Sequence, residues 1–208
     1  MEFYEAVEKR RTVRDFKDEP IDPDALKRIL GAGMKAPSND HMRGWHFIVL
    51  EDKEQMRSLI KKIPKTMSPK RAEFVMDWMK LKDEVQRDMY RDALPKQYQM
   101  LLDAGCLIIP LYRQYGDLLK PKDRSALNAY ASIWLCIENI FLAATAEGYA
   151  CSIRIPLGQE KEHVQSLLHF PDEYEMPCYI GLGKPADNIT PAVQKAYDLE
   201  ERIHKAVW

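Results

Sequence analysis

The sequence predicts one domain of the α+β or α/β class, built in three layers. Its 208 residues are enough to bury a single core, and 46% of them are hydrophobic, an ordinary share for a globular protein. Apolar segments of strand length alternate along the chain with segments of helical period. Strands separated by helices in a chain of this size are typical of a sheet covered by helices.

Two helices are predicted before the first strand. Residues 2–11 place apolar side chains at helical spacing. A second helix begins after Asp22, a candidate N-cap, with Pro23 at its first helical position. The glycines at positions 31 and 33 are expected to weaken the end of this second helix.

Four strands are expected, over residues 45–50, 106–112, 150–156 and 178–182. The first, WHFIVL, is nearly apolar on both faces, which predicts a buried central strand. Residues 125–146 combine helical spacing with small side chains, and Gly148 follows them as a C-cap, so a long helix is expected between the second and third strands.

The remaining segments are predicted to be helical. Residues 58–102 are charged, rich in Met and interrupted by prolines, which favours helices outside the main sheet. Their methionines could form a pliable lid over a ligand, although Met on helices more often serves plain packing. A short helix is expected over residues 163–168, and the tail, residues 191–208, reads as a final helix.

Composition narrows the partners and the location. A net charge of −1 and a pI near 6.5 argue against nucleic acid as the main partner. The chain has no unbroken apolar run of 18 residues and no signal-like start, so we expect a cytoplasmic protein without a membrane segment. The four cysteines are widely spaced and are interpreted as buried free thiols, and no His or Cys spacing indicates a metal site.

A basic cluster near the start of the chain is the first candidate site. Residues 10–14, RRTVR, place three guanidiniums and a hydroxyl within five positions. Arginine forks bind phosphate in a bidentate manner, so the cluster could hold a phosphorylated cofactor, although most short basic runs are solvated surface. Glycine-rich nucleotide motifs and a Gly-x-Ser-x-Gly elbow are absent from the sequence.

Four stretches, taken in order, resemble the nitroreductase family of FMN-dependent flavoproteins. The run RRTVRDF at residues 10–16 is similar to the family's opening motif, and residues 36–49 are similar to its Ala-Pro-Ser loop and following strand. Residues 137–148 resemble its long central helix. The segments IPLG at residues 155–158 and IGLGKP at residues 180–185 resemble its flavin-edge loop and last strand.

The resemblance implies a fold and an assembly. It implies an α+β fold, a three-layer α-β-α sandwich with a central, mostly antiparallel sheet. Residues 1–208 would form one flavin-binding domain, with a helical insertion or lid at about 58–102 and a C-terminal extension at about 188–208. Family members are intertwined homodimers with the flavin at the subunit interface, so a homodimer is expected.

The resemblance also implies roles for individual residues. Arg10 and Thr12 would hold the FMN phosphate, Arg11 would lie beside the phosphate and ribityl chain, and Arg14 would approach the pyrimidine edge, where a cation favours the reduced flavin. Further cofactor-binding residues implied are Pro37, Ser38, Asn39 and His41 from the partner subunit, Gln97 at the ring edge, Pro156, Leu157 and Gly158 along the ring, and Lys195 at the phosphate, with Arg202 as the alternative cation.

The sequence departs from the family pattern mainly in the loop after Ser38. The family's usual Asn, Gln and Pro are here His41, Arg43 and Gly44. In the turn after the long helix, the family's second glycine is Ala150. These changes leave the acceptor pocket less defined than the cofactor site.

The expected activity is two-electron transfer from NADH or NADPH, through the flavin, to a small electron-poor acceptor such as a nitroaromatic or a quinone, in a ping-pong mechanism. No side chain is predicted to be catalytic, since the flavin carries the chemistry. Three alternatives stay open. They are another chemistry on the same scaffold, such as flavin fragmentation or reductive dehalogenation, a non-enzymatic FMN-binding or sensing protein, and a helical interaction domain built on the basic N-terminus.

Overall fold

The structure, a computed structural model, describes residues 1–208 and contains one five-stranded sheet. The strands are β1 (Trp45–Leu50), β2 (Cys106–Arg113), β3 (Ala150–Arg154), β4 (Tyr174–Glu175) and β5 (Tyr179–Gly183). Their order is β1-β2-β5-β3, with β4 added beside β2, and every pair of strands is antiparallel. The predicted antiparallel sheet is therefore confirmed, and the short strand β4 was not predicted.

Helices cover both faces of the sheet. They are α1 (Phe3–Lys9), α2 (Pro23–Gly33), α3 (Lys53–Leu59), α4 (Pro69–Trp78), α5 (Glu84–Ala93), α6 (Gln99–Leu102), α7 (Asn128–Ala146) and α8 (Glu160–Leu168). Along β2, Cys106 and Ile108 enter the core beneath α2 and α7, whereas Leu107 and Ile109 enter the core beneath α3, α6 and α8. This alternation, which follows from the pleat, produces the predicted three layers.

The long helix α7 lies at the centre of the first core. Ile133, Cys136 and Ile140 are fully buried, and α2 packs directly against it. A Cβ at Gly33 would lie 2.7 Å from the side chain of Ile140, so glycine permits this close helix contact. By length and hydropathy alone, residues 124–146 could also span a membrane, but here the helix is an element of the protein core.

The capping prediction for α2 is confirmed, and the helix continues further than expected. The Asp22 carboxylate accepts hydrogen bonds from the backbone N–H groups of Asp24 and Ala25, and Pro23 occupies the first turn. Two glycines did not end the helix before position 33, because its last turn packs on α7.

Two predictions about regular structure are wrong. The strand β1 is an edge strand rather than a central one, paired only with β2, and His46 is exposed. Residues 191–208 form no α-helix and contain only a 3₁₀ turn at Glu200–Arg202. All residues of this tail are exposed, and an apolar stripe stabilises a helix only when it packs on something.

The predicted helical segment is confirmed, although its helices begin at Lys53 rather than near residue 58. Met76 and Met100 are completely buried and serve packing. Helices α4 and α5 pair through a network in which Glu73 contacts both Arg87 and Arg91. These ion pairs join the two helices to each other.

Candidate functional site

The segment after α1 is attached to the outer edge of β3. Thr12 pairs with Cys151 in a parallel bridge, and the Val13 N–H donates to the Cys151 carbonyl at 3.0 Å. Val13 is buried, with 8% of its surface exposed. Because side chains alternate along extended backbone, Thr12 and Arg14 point to the side opposite Val13.

The same segment is attached again at the end of β5. The Lys17 N–H donates to the Lys184 carbonyl at 2.9 Å, and the Ala186 N–H donates to the Asp15 carbonyl at 3.0 Å. Phe16 packs over Gly183, where a Cβ would lie 2.7 Å from Cδ1 of the Phe16 ring. The basic cluster is thus held on both sides by the sheet and is not a mobile N-terminal arm.

Five of the predicted cofactor residues line one concavity of about 560 Å³. They are Arg10, Arg11, Thr12, Arg14 and Lys195. An adjoining concavity of about 500 Å³ shares Thr12 and Arg14 and is bordered by Asp92, Lys96 and the segment 186–192. Both volumes are in the range of sites that bind cofactors. The structure therefore brings the N-terminal cations and the tail cation to one place.

Only one of these four cations lacks an acidic partner. Arg10 lies 3.2 Å from Glu138, Arg14 lies 3.6 Å from Asp92, and Lys195 lies 3.0 Å from Asp83. In contrast, Nη1 of Arg11 is buried without a hydrogen-bond partner. A buried donor with no acceptor is costly, so Arg11 is the group that most needs an anionic ligand.

Arg14 occupies a protected position beside α5. Only 13% of its side chain is exposed, and Nη2 lies 3.7 Å from the sulfur of Met89. Burial lowers the pKa of the guanidinium, and the nearby Asp92 opposes this effect. An arginine remains charged under either influence, so Arg14 supplies a permanent, partly desolvated cation.

Gln97 lies outside both concavities, and its amide is used within the chain. Its Nε2 donates to the Ala93 carbonyl at 2.8 Å, and its Oε1 accepts from Nη1 of Arg154 at 3.1 Å. The predicted contact between Gln97 and a flavin edge stays a prediction, and the amide keeps a second N–H donor and a second acceptor site for it.

The loop between β3 and α8 carries the predicted residues Pro156, Leu157 and Gly158. Leu157 and Gly158 are exposed, and their backbone N–H groups have no acceptor within the chain. Gly158 has a φ of +56°, a conformation that favours glycine. The loop therefore presents two free N–H donors on exposed backbone.

A second group of predicted residues lies elsewhere in the chain. The Asn39 N–H donates to Oγ of Ser132 at 3.0 Å, and Asn128 donates to the Asn39 side chain at 3.3 Å. Arg10, by contrast, contacts Glu138 on the same helix. At 1.5 Å per residue, these contact points are about 9–15 Å apart along α7.

The loop that carries this second group is conformationally strained. Asp40, His41 and Arg43 have φ values of +49°, +55° and +43°, in the left-handed region that disfavours such residues. Pro37 and His41 are exposed, and Ser38 and Asn39 border a cavity of about 150 Å³ beside Trp45 and Tyr112. One chain alone does not join this loop to the basic concavity.

Several charged residues at the site could not be recognised from the sequence. Asp92 and Lys96, which contact each other at 2.6 Å, connect the insertion to Arg14 and Asp15. Arg154 and Glu160 form an ion pair at 2.6 Å behind the loop of Leu157. Charged residues on helical segments usually face solvent, so their partners become visible only when the fold is known.

The cysteines behave as predicted. All four are buried free thiols, and burial raises the pKa of Cys106 and of Cys136 to about 12. A thiol that remains protonated at neutral pH is a poor nucleophile.

Comparison with known proteins identifies the family. The sequence matches the Nitroreductase family over residues 7–184. The chain belongs to this family. It is therefore an oxidoreductase with the fold that the sequence motifs predicted, and the matched region contains the basic cluster, both loops and all five strands.

Three similar proteins illustrate the range of the family. A putative NADH dehydrogenase/NAD(P)H nitroreductase of Methanothermobacter thermautotrophicus is 27% identical over all of this chain and 88% of its own length. The structure of a BluB-like flavoprotein from Clostridium difficile 630 matches with a TM-score of 0.73 at 20% identity, over 100% of both chains. An iodotyrosine deiodinase bound to FMN and 3-iodo-L-tyrosine matches with a TM-score of 0.72 at 18% identity, also over 100% of both.

Proposed function

We propose that this protein is an FMN-dependent oxidoreductase that takes two electrons from NADH or NADPH and passes them to a small electron-poor acceptor, of the nitroaromatic or quinone type. The observation that carries the proposal is the concavity lined by Arg10, Arg11, Thr12, Arg14 and Lys195, in which Arg11 has a buried guanidinium nitrogen without a partner. A cytoplasmic location stays a prediction.

The basic concavity fits the phosphate end of FMN. A phosphate dianion offers the acceptors that Arg11 lacks, and guanidinium–phosphate hydrogen bonds are among the strong ones. Thr12 would add a hydroxyl, and its position is fixed by the bridge to Cys151. Because Arg10 and Lys195 already have carboxylate partners, their attraction for a phosphate is partly offset.

The loop of Leu157 and Gly158 fits the ring end. When bound, FMN accepts hydride from the nicotinamide and passes two electrons on to the acceptor. The free N–H groups of the loop would orient the ring by hydrogen bonding, and Gly158 lets the backbone approach without a side chain in the way. Arg14 would stabilise negative charge on the reduced ring, since its own charge is permanent and partly desolvated.

The remaining wall is proposed to come from a second copy of the chain. The loop of Pro37, Ser38, Asn39 and His41 contacts α7 about 9–15 Å from the point where Arg10 contacts it, too far to complete the concavity of its own chain. A homodimer would bring this loop to the partner's cofactor. Apolar side chains on α1 and α7 are exposed as a dimer surface would require: Phe3, Tyr4, Val7 and Leu135.

The insertion is proposed to act as the lid. It reaches the cofactor site through Asp92 and Lys96, and α4 exposes Phe74 and Trp78, with 62% and 77% of their surfaces accessible. Two aromatic side chains one turn apart would cover a flat acceptor if the lid closes over the ring of either subunit. Acceptor size would then depend on this helix pair.

The first experiment purifies the chain and identifies the bound cofactor by its visible absorbance and by mass spectrometry. The proposal expects FMN, anaerobic bleaching by NADH or NADPH, and reoxidation by a quinone or a nitroaromatic. A colourless chain that cannot be reconstituted with FMN contradicts the proposal. FMN that neither nicotinamide reduces would instead indicate a non-enzymatic flavin-binding protein.

Two further measurements separate the other chemistries of this scaffold. Reduced holoprotein is exposed to oxygen and tested for flavin ring-cleavage products, and it is incubated with a halogenated phenol and tested for halide release. Flavin cleavage or halide release that is faster than the reduction of every quinone and nitroaromatic would contradict the proposed acceptor class. The proposed FMN site would not be affected by that result.

A further inference from the structure

The loop proposed to face the flavin ring is closed at its base by a buried ion pair. Arg154 is the last residue of β3, and Glu160 is the first residue of α8. Nη2 of Arg154 donates to Oε1 of Glu160 at 2.6 Å, and the two side chains are only 8% and 6% exposed. The pair thus joins the two ends of a five-residue loop, residues 155–159.

The ion pair extends to the insertion. Nη1 of Arg154 donates to Oε1 of Gln97 at 3.1 Å, and Gln97 in turn donates to the carbonyl of Ala93, the last residue of α5. A single guanidinium therefore connects β3, the start of α8 and the end of the proposed lid.

The pair leaves little tolerance for loss of one partner. Nε of Arg154 and Oε2 of Glu160 are buried and have no hydrogen-bond partner in the chain, so the bond between Nη2 and Oε1 is the one that joins the two side chains. Removing either side chain alone would leave an uncompensated buried charge, whereas apolar replacement of both often preserves stability. A buried ion pair often adds little to the free energy of unfolding. It can instead hold the segments that carry its two side chains in one arrangement.

The loop has few other restraints. Leu157 is 63% exposed, and the bond from the Glu160 N–H to the Leu157 carbonyl, at 3.1 Å, is the backbone hydrogen bond that crosses the loop. The free N–H groups of Leu157 and Gly158 can be directed at a ligand only if the base of the loop is fixed. The ion pair supplies this fixation.

We propose that Arg154 and Glu160 are positioning residues for the flavin: their ion pair fixes the loop of residues 155–159 so that its free N–H groups point at the ring, and Gln97 couples this loop to the insertion. The inference rests on the proposed function, since it assumes that FMN binds against this loop. Neither side chain needs to touch the cofactor.

The proposal has a redox consequence. A backbone N–H directed at a ring nitrogen stabilises the oxidised flavin, in which that nitrogen is an acceptor, more than the reduced flavin, in which it carries a proton. Loosening the loop should therefore weaken binding of oxidised FMN more than binding of reduced FMN. A merely structural role would weaken both equally.

The test replaces both partners, Arg154→Met with Glu160→Leu, and measures the Kd of oxidised and of reduced FMN. The expected result is a Kd about tenfold higher for oxidised FMN and nearly unchanged for reduced FMN, which corresponds to a midpoint potential about 30 mV more positive for a two-electron couple. The matched control is Lys161→Met, on the same helix as Glu160, which breaks the pair between Lys161 and Glu175 of β4 and should change neither Kd.

Equal weakening in both redox states, or no change in either, would overturn the proposal, provided that the variant melts cooperatively. If the double variant does not fold, Gln97→Ala removes the amide that accepts from Arg154 and donates to the Ala93 carbonyl. The ratio of the Kd of oxidised FMN to that of reduced FMN is then expected to rise about threefold, and an unchanged ratio would overturn the proposal. Failure of the unsubstituted chain to bind FMN at all would refute the proposed function instead.

Discussion

Two segments border the same basic concavity, and they are held in different ways. Residues 12–17 are bridged to β3 and to the end of β5, and one of them, Val13, is buried. The tail contributes Lys195 and its neighbours, yet residues 191–208 are exposed throughout and contain no α-helix. The first segment is positioned by contacts with its own sheet, whereas the tail buries none of its residues against the chain.

The match to the family also separates these two segments. It covers residues 7–184, which include residues 12–17 and exclude the tail, residues 191–208. We infer that contacts inside one chain determine the arginine wall of the site, whereas the tail receives its stable position from a second copy.

Deleting residues 191–208 should have the largest effect. The deletion removes six exposed apolar side chains, Val193, Tyr197, Leu199, Ile203, Val207 and Trp208. For each of them that is fully buried in a dimer, the dimer Kd should rise about 10- to 150-fold, since one such burial is worth about 1.5–3 kcal/mol. Sedimentation equilibrium measures this Kd.

The control for the deletion is Leu119→Ser, at a site that is 89% exposed in the segment before α7, and it should not alter dimerisation. A truncated chain that dimerises as tightly as the full chain would contradict the role given to the tail.

Among substitutions of the arginines, Arg11→Met should reduce the affinity for FMN most. Its unpartnered guanidinium gains the most from a phosphate, so FMN binding should weaken by about 1.5–3 kcal/mol, or about 10- to 150-fold. Arg10→Ala should weaken binding less, because Glu138 already offsets part of its charge. Flavin fluorescence titration measures both values.

Arg28→Met is the matched control for these arginines, because its guanidinium pairs with Glu147 at 2.7 Å and lines neither concavity nor the cavity beside Asn39. If Arg11→Met retains FMN as well as this control does, the phosphate assignment is wrong.

Gly183→Ala should detach the N-terminal segment from the sheet. The new methyl group would meet Phe16 at 2.7 Å and the Gly105 nitrogen at 3.1 Å, which should lower the free energy of unfolding by about 1–3 kcal/mol. Urea denaturation measures the change. At Gly31 a Cβ meets nothing within 4 Å, so Gly31→Ala should be neutral or stabilise α2 by up to about 1 kcal/mol.

Lys195→Met should have a small effect on FMN binding, less than about fivefold. The side chain is 58% exposed and is paired with Asp83, so its interaction with a phosphate is screened by solvent and offset by the carboxylate. The same fluorescence titration applies. A loss as large as that of Arg11→Met would place the tail, rather than the N-terminal segment, at the centre of phosphate binding.

Cys151 should be inert in the native protein and can report on the same bridge. It is 3% exposed beneath the Thr12 bridge, and burial raises the pKa of its thiol. A thiol reagent at pH 8 should label none of the four cysteines until the chain is unfolded. In Gly183→Ala, Cys151 should be labelled faster than Cys136, whose site lies under α2 and α7, and mass spectrometry distinguishes the two.

Local patterns predicted most of the fold. The N-cap at Asp22, the buried period of residues 128–146 and the apolar runs of the four longer strands depend on neighbours within a few residues, so the sequence reveals them. The edge position of β1 and the irregular tail depend on which distant segment packs against them. For this reason WHFIVL suggested a central strand, and the tail suggested a helix.

The features of the site also divide into those that depend on local sequence and those that depend on distant contacts. The arginine cluster, the glycine of the loop after β3 and the family could be read from the sequence alone, because these are short motifs of fixed chemistry. Two features of the site became visible only in the folded chain. Arg11, among the four cations of the concavity, has no acidic partner, and Arg154 and Glu160 form the ion pair at the base of the loop. Such pairings join residues from separate elements, and their energies depend on burial and distance, which no local pattern encodes.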